Sequence, residues 1–160
     1  MTVVVRRQAA GSGELCRRIL AALPGWFSVP ESVEDYVRAA EANPTFVARL
    51  GPDDVGFATV IAHSPHAGEI YVMGVLPDRH RQGIGRRLLA AVEADLAAAG
   101  AEFLQVKTLS PARPDPGYAR TRAFYEGCGF RVLEEFPLLW GADNPALQLI
   151  KALSNPPPAG

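Results

Sequence analysis

The chain has 160 residues, 48% of them hydrophobic, which suits one domain with a core of its own. A net charge of −1 and a pI near 6.3 argue against nucleic acid or an anionic membrane as the main partner. Cys16 and Cys128 stand far apart without metal-ligand spacing, which argues against a disulfide framework and a metal site; the N-terminal residues lack the order of a signal peptide, so a cytoplasmic location is expected.

Thr2–Arg7 is a short β-branched run and reads as a first strand. Ser12 suits the N-cap of a helix reaching about Ala22, with Leu15, Ile19 and Leu23 on one face. Pro24–Pro30 is a loop carrying Trp26 and Phe27, which read either as a plug on the core or as lining of a ligand site. Ser32–Asp35 has the form of a capping box, opening a helix that presents Val33, Tyr36, Val37 and Ala40 until Asn43-Pro44 stops it.

Thr45–Leu50, Val55–His63 and Glu69–Val75 then read as strands joined by turns short enough for antiparallel hairpins. A helix with Ile84, Leu88, Val92 and Leu96 on one stripe follows and ends at Gly100. Phe103–Leu109 is the next strand, Ser110–Gly117 a Pro-rich loop, Tyr118–Cys128 a helix, and Arg131–Phe136 and Ala146–Leu153 the last strands. Residues 154–160, with three consecutive prolines, are expected to be a disordered tail after a single domain over residues 1–153. The sum is an α+β fold: a mixed, mostly antiparallel sheet of about seven strands with helices on both faces.

The stretch Pro77–Leu89 joins a strand to a helix through a basic turn with two glycines. The free N–H groups of a first helical turn and the positive end of the helix dipole favour an anion there, by roughly 0.3–1 kcal/mol at an exposed site. Gly83 and Gly85 let a phosphate approach the backbone, and Arg79, Arg81, Arg86 and Arg87 add charge around the same point. The run Gly-x-x-x-x-Gly-Lys-Ser/Thr of nucleotide hydrolases is missing, and Leu88 stands where a dinucleotide fingerprint needs a third glycine.

His80-Arg81-Gln82-Gly83-Ile84-Gly85 resembles motif A of the GNAT superfamily of acyl-CoA N-acetyltransferases, Gln/Arg-x-x-Gly-x-Gly/Ala at the start of the central helix. His80 departs from the usual Gln or Arg. Ala123-Phe-Tyr-Glu-Gly-Cys-Gly-Phe130 is similar to the family's motif B, where a short helix ends in Phe-Tyr-x-x-x-Gly-Phe and enters a strand. The resemblance covers Glu69–Leu153 well and the earlier residues only by element order. It implies acetyl-CoA as co-substrate, bound by Met73, Gly74, Val75, Arg81, Gln82, Gly83, Ile84, Gly85 and Arg86. In the same family pattern, backbone groups at Met73–Val75 pair with pantetheine and the thioester carbonyl, and Tyr125 protonates the departing thiolate. Tyr118 stands where the family often has a cofactor-touching asparagine, so no role carries over to it.

An alkyl amine with a pKa of about 10.4 is neutral at pH 7 in only roughly one molecule in two thousand, so amine acetylation needs a base. Glu69 opens the strand that leads to the cradle, shares a face with Tyr71 and Met73 by alternation, and lies fourteen residues before Gly83, as the catalytic glutamate of histone-type members does. Its competing reading is a solvated strand-end carboxylate. His63, at the end of the adjacent strand, is the rival base. The expected acceptor lining is Trp26, Phe27, Tyr36, His63, Tyr71 and Trp140. No cysteine is placed as an acyl carrier, so the amine attacks directly in a ternary complex and no metal is expected. The alternative is a non-catalytic acyl-CoA-binding regulatory or interaction module. The acceptor is a small-molecule or peptide amine of open identity, and the oligomeric state, a homodimer included, is open as well.

Overall fold

A computed structural model describes residues 2–27 and 29–153. In chain order its elements are β1 (Val3–Gln8), α1 (Gly13–Ala21), α2 (Pro30–Ala42), β2 (Thr45–Leu50), β3 (Asp53–Ser64), β4 (Ala67–Val75), α3 (Ile84–Ala98), β5 (Phe103–Leu109), α4 (Pro116–Gly127), β6 (Arg131–Phe136) and β7 (Ala146–Ala152). A single 3-10 turn, Pro77–Arg79, links β4 to α3. The strands form one sheet in the order β1-β2-β3-β4-β5-β7-β6, antiparallel throughout except for β4 beside β5.

The amphipathic stripe of α3 places Ile84, Leu88 and Val92, with Leu89, on one face of the sheet. There they meet Phe46, Ala58, Ile70, Leu104, Val106 and Leu149, joined by Tyr125 of α4 and by Phe130. On the opposite face α1 and α2 bury Cys16, Ile19, Leu20, Leu23, Val37 and Ala40 against Phe57 and Val72. Each fully buried leucine or isoleucine of these stripes contributes about 1.5–3 kcal/mol relative to exposure. The expected α+β architecture with helices on both faces is the one found.

Two helix starts differ from the sequence reading for the same reason. Proline is pre-set for a first helical position, where the missing N–H has no partner to lose. Thus α2 begins at Pro30 after an extended Val29, and Ser32 falls inside the first turn instead of capping it. Likewise α4 begins at Pro116, its N-cap Asp115 accepting from the Tyr118 amide at 3.1 Å, which shortens the Pro-rich loop. The expected tail lies outside the described residues.

Two irregularities in β4 position the site. β4 pairs with β5 only from Ala67 to Ile70, against Phe103 to Val106, while it stays paired with β3 as far as Val75. Beyond Ile70 one edge of β4 is therefore open in the middle of the sheet. Thr59 also faces Val72 while Val60 faces Ile70, so Tyr71 is an extra residue, a β-bulge. The bulge breaks alternation: Tyr71 and Val72 both turn to the α1/α2 face, and Met73 crosses to the α3 face with Ile70. Glu69 and Tyr71 share a face as expected; Met73 does not.

Candidate active site

The turn into α3 leaves a run of amides without acceptors. Arg81 (φ 63°) and Gly83 (φ 76°) both take the left-handed conformation, and Gly83 is the N-cap of α3 with no side chain capping it. The first helical bond runs from the Arg87 amide to the Gly83 carbonyl, at 3.1 Å. Among the described residues, no acceptor meets the backbone N–H groups of Arg81 to Arg86. Alternating backbone of this kind makes an anion-binding concavity, and the helix dipole adds to it. A Cβ on Gly83 would meet nothing within 4 Å, so the space in front of this turn is open.

Gly85, whose amide belongs to this unpartnered run, has a packing task as well. A Cβ there would come within 3.1 Å of the Phe124 ring, so its bareness lets α4 close on α3. The Gln82 side chain turns back to the Asp78 carbonyl (3.3 Å) and faces away from the cleft, and Arg87 is drawn off to the Val3 carbonyl. Arg79, Arg81, Arg86 and Arg120 line the cleft, whereas Arg122 is held by the Leu109 carbonyl at 2.7 Å.

The cleft has a volume of about 1780 Å³ and lies between the start of α3, the open edge of β4, the end of β5, α4 and the α1–α2 loop. Single-ligand sites run to roughly 1,000 Å³, so two substrates fit side by side. The Leu76 amide donates to the Val55 carbonyl at 2.9 Å; along an antiparallel ladder this directs the peptide groups of Gly74 to β3 and those of Met73 and Val75 to the opening. Gly74 is thus not itself the open backbone position. Its missing Cβ instead admits Leu23 (3.1 Å) and Ile19 (3.3 Å) of the α1 layer. The Val75 carbonyl accepts from His80 Nε2 at 2.7 Å, which fixes the proton on that nitrogen and gives the departing motif residue a structural partner.

Tyr125 lies between Phe124 and Phe130, edge to face at 5.2 and 5.3 Å. It lines the cleft, and its hydroxyl has no hydrogen-bond partner among the described residues. Burial, and then Cys128 nearby, push the phenol well above its ordinary range. Tyr118 donates its hydroxyl to the Trp26 carbonyl at 2.8 Å, and Trp26 meets the His80 ring edge-on at 6.1 Å. Tyr118 therefore ties α4 to the α1–α2 loop, and Trp26 joins that loop to the turn before α3, links the motif alone does not show.

Glu69 and His63, rivals as base in the sequence, are in contact. Glu69 is buried, 5% exposed, with Oε1 2.7 Å from His63 Nε2 and Oε2 2.9 Å from Lys107 Nζ. This excludes the solvated strand-end reading. Neither Glu69 nor His63 lines the cleft; Lys107 does, so it joins the buried carboxylate to the opening. His63 accordingly drops from the acceptor lining.

The other five residues expected to line an acceptor site border the cleft. Phe27, Tyr36 and Tyr71 pack edge to face in series, at 5.7 and 5.4 Å, and Trp26 and Trp140 complete the apolar wall. Burial pushes the Tyr36 phenol up to about 12, with Tyr118, Tyr71, Asp35 and Glu69 adding to the rise. Trp26 and Phe27 both pack on the α1/α2 core and also border the cleft. Lys107, Thr108, Asp143 and Asn144 also line the cleft but carry no motif. Lys107 was recoverable only from the β4–β5 register, which sets Glu69 opposite Gln105.

Among the described residues no group of three or more His, Cys, Asp or Glu is gathered as for a metal, and no helix is long and apolar enough to cross a membrane. Several solved structures share the fold. One, a Desulfovibrio desulfuricans protein assigned to the GNAT acetyltransferases, is 24% identical, with 96% of this chain and 100% of that chain covered and a TM-score of 0.77. An aminoglycoside 6'-N-acetyltransferase from Enterococcus faecium is 19% identical, covering 96% and 99%, with a TM-score of 0.72. A GNAT family acetyltransferase from Elizabethkingia anophelis with acetyl-CoA bound is 16% identical, covering 94% and 98%, with a TM-score of 0.71. No curated protein sequence matches the chain. The family model described as "Acetyltransferase (GNAT) domain" matches residues 41–132, more than half of the sequence, and with the fold and cleft above the chain belongs to the GNAT acetyltransferases.

Proposed function

We propose that the protein transfers the acetyl group of acetyl-CoA to a primary amine by direct attack within a ternary complex. The observation that carries the reading is the run of unpartnered amides from Arg81 to Arg86 at the mouth of an open β4 edge. The amides, with Arg81 and Arg86, hold the coenzyme's diphosphate. The outward N–H groups of Met73 and Val75 and the Met73 carbonyl pair with its pantetheine arm, one of the N–H groups polarising the thioester carbonyl, while the Val75 carbonyl is held by His80. The acceptor amine enters beside Phe27, Tyr36, Tyr71 and Trp140. A volume beyond one ligand's needs supports simultaneous occupation over a two-step exchange.

Glu69 is the proposed proton acceptor, linked to the cleft through Lys107. The ammonium of the acceptor gives one proton to Lys107 Nζ as Lys107 passes its own to Glu69 Oε2; the neutral amine then attacks the thioester carbon, the carbon–sulfur bond breaks, and the nitrogen releases its second proton to solvent as the amide forms. Tyr125 stays protonated through the neutral range, and its phenol binds protons more tightly than a thiolate of pKa about 8.5 does. It therefore stabilises the leaving thiolate as a hydrogen-bond donor, with the final proton drawn from solvent. The test is thiol release from acetyl-CoA across a panel of amines. Amine-dependent release supports transfer; coenzyme A binding without release by any amine supports the non-catalytic module instead.

A further inference from the structure

Lysine is rare in this chain: of 16 lysine and arginine side chains, only Lys107 and Lys151 are lysines. A guanidinium keeps its charge and suits an ion pair, whereas a lysine amine can lose a proton and act as a nucleophile. The two lysines are alike in exposure and pairing. Each is bonded to one carboxylate, Lys107 to Glu69 and Lys151 to Glu93, and their side chains are 24% and 26% exposed. They differ in surroundings: Lys107 lines the cleft and Lys151 does not.

The β4–β5 pairing ends at Ile70 and Val106, so Tyr71 and Lys107 begin the two walls of the opening, and both line the cleft. On the coenzyme reading of that cleft, a thioester held at the outward N–H groups of Met73 and Val75 faces the β5 wall that Lys107 begins. Lys107 Nζ is 2.9 Å from Glu69 Oε2, so this amine comes with a proton acceptor attached.

We propose that Lys107 is a self-acetylation site, modified by the protein's own bound acetyl-CoA when no acceptor amine occupies the cleft. The inference rests on the coenzyme reading. Lys107 passes one proton to Glu69 Oε2, and its neutral nitrogen attacks the thioester carbon. The carbon–sulfur bond breaks, coenzyme A leaves as the thiolate and takes a proton from solvent, and the nitrogen releases its second proton to solvent as the amide forms. An amide does not pass its acetyl group on, so the modification lasts, and it removes the positive charge beside Glu69.

The experiment incubates wild type with acetyl-CoA and no amine, then maps acetyl groups on the digested protein. Lys151 is the internal control for uncatalysed acetylation, since its exposure and pairing match those of Lys107. Lys107 should gain acetyl at least about 10²-fold faster than Lys151, a small part of what a positioned reaction gains over an unpositioned one. Its rate should not depend on protein concentration, and Lys107→Arg, which keeps the charge without the amine, should remove the signal. Equal acetylation of the two lysines overturns the inference, as does a rate that rises with protein concentration. An unmodified Lys107 in protein whose melting temperature acetyl-CoA raises overturns the inference alone. A wild type that acetyl-CoA does not stabilise overturns the coenzyme reading with it, so the melting temperature tells the two failures apart.

Discussion

Glu69 on β4 and Lys107 on β5 form an ion pair of 2.9 Å just where their strands cease to run together. The pair places a buried carboxylate at the apex of the opening and exposes only its cationic partner to the cleft. If Glu69 receives the amine proton, Glu69→Gln lowers the rate most near neutral pH, where free amine is scarce. Raising the pH toward the amine's own pKa of about 10.4 then recovers much of the loss. A pH–rate profile of Glu69→Gln parallel to wild type would remove Glu69 as base.

The same pair carries stability. Lys107→Met strands a buried carboxylate, and breaking a buried pair costs roughly 3–5 kcal/mol; the lower end is expected because His63 stays bonded to Oε1. Denaturant midpoints check this, and an unchanged midpoint would mean that the carboxylate finds water.

Tyr125→Phe keeps the aromatic packing with Phe124 and Phe130 and removes a hydroxyl that has no protein partner. The melting temperature should hold while turnover falls by roughly 10- to 150-fold, the worth of one hydrogen bond to a charged group, here the leaving thiolate. Full turnover in Tyr125→Phe would leave it a packing residue.

Gly83→Asp puts a carboxylate into the open space before the α3 turn, where the protein itself offers no clash. Coenzyme A at a hundred times its Kd should stabilise wild type by about 2.7 kcal/mol and the variant not at all. The positive φ of Gly83 makes any side chain there strained, so Gly83→Ala is the control for that strain. Equal thermal shifts in Gly83→Asp and Gly83→Ala would take the phosphate away from this turn.

Burial pushes the Cys16 thiol from 9.0 up to about 12, against a smaller lowering by Arg17, and the Tyr36 phenol from 10.0 up to about 12. Both groups therefore keep their protons in the folded state at pH values where the unfolded chain releases them. Stability is constant on their account below about pH 9 and declines between about 9 and 12, by at most about 1.4 kcal/mol per pH unit for each group. Melting temperatures across that range should fall, and Cys16→Ala and Tyr36→Phe should each flatten the slope. A slope unaltered in both variants would assign the alkaline loss elsewhere.

The elements and the anion turn were legible in the sequence because local signals fix them. β-branched runs marked the strands, a four-residue stripe marked α3, and two glycines in a basic turn marked where amides would be bare. The family motifs added the order of the parts. What tertiary structure alone decided is how distant strands meet. Nothing local to Glu69 says that Lys107, 38 residues later, will neutralise it, or that His63 will share it. The bulge at Tyr71 arises from β3–β4 register, so the alternation that put Met73 beside Glu69 failed for a reason no single strand contains. Gly74 and Gly85 look alike as backbone openings in sequence; α1 closing on one and Phe124 on the other give both a packing role, and only Gly85 keeps an unpartnered amide beside it. Side-chain partners across a sheet depend on register and strand order, which are set by the whole core's packing and not by neighbours in the chain.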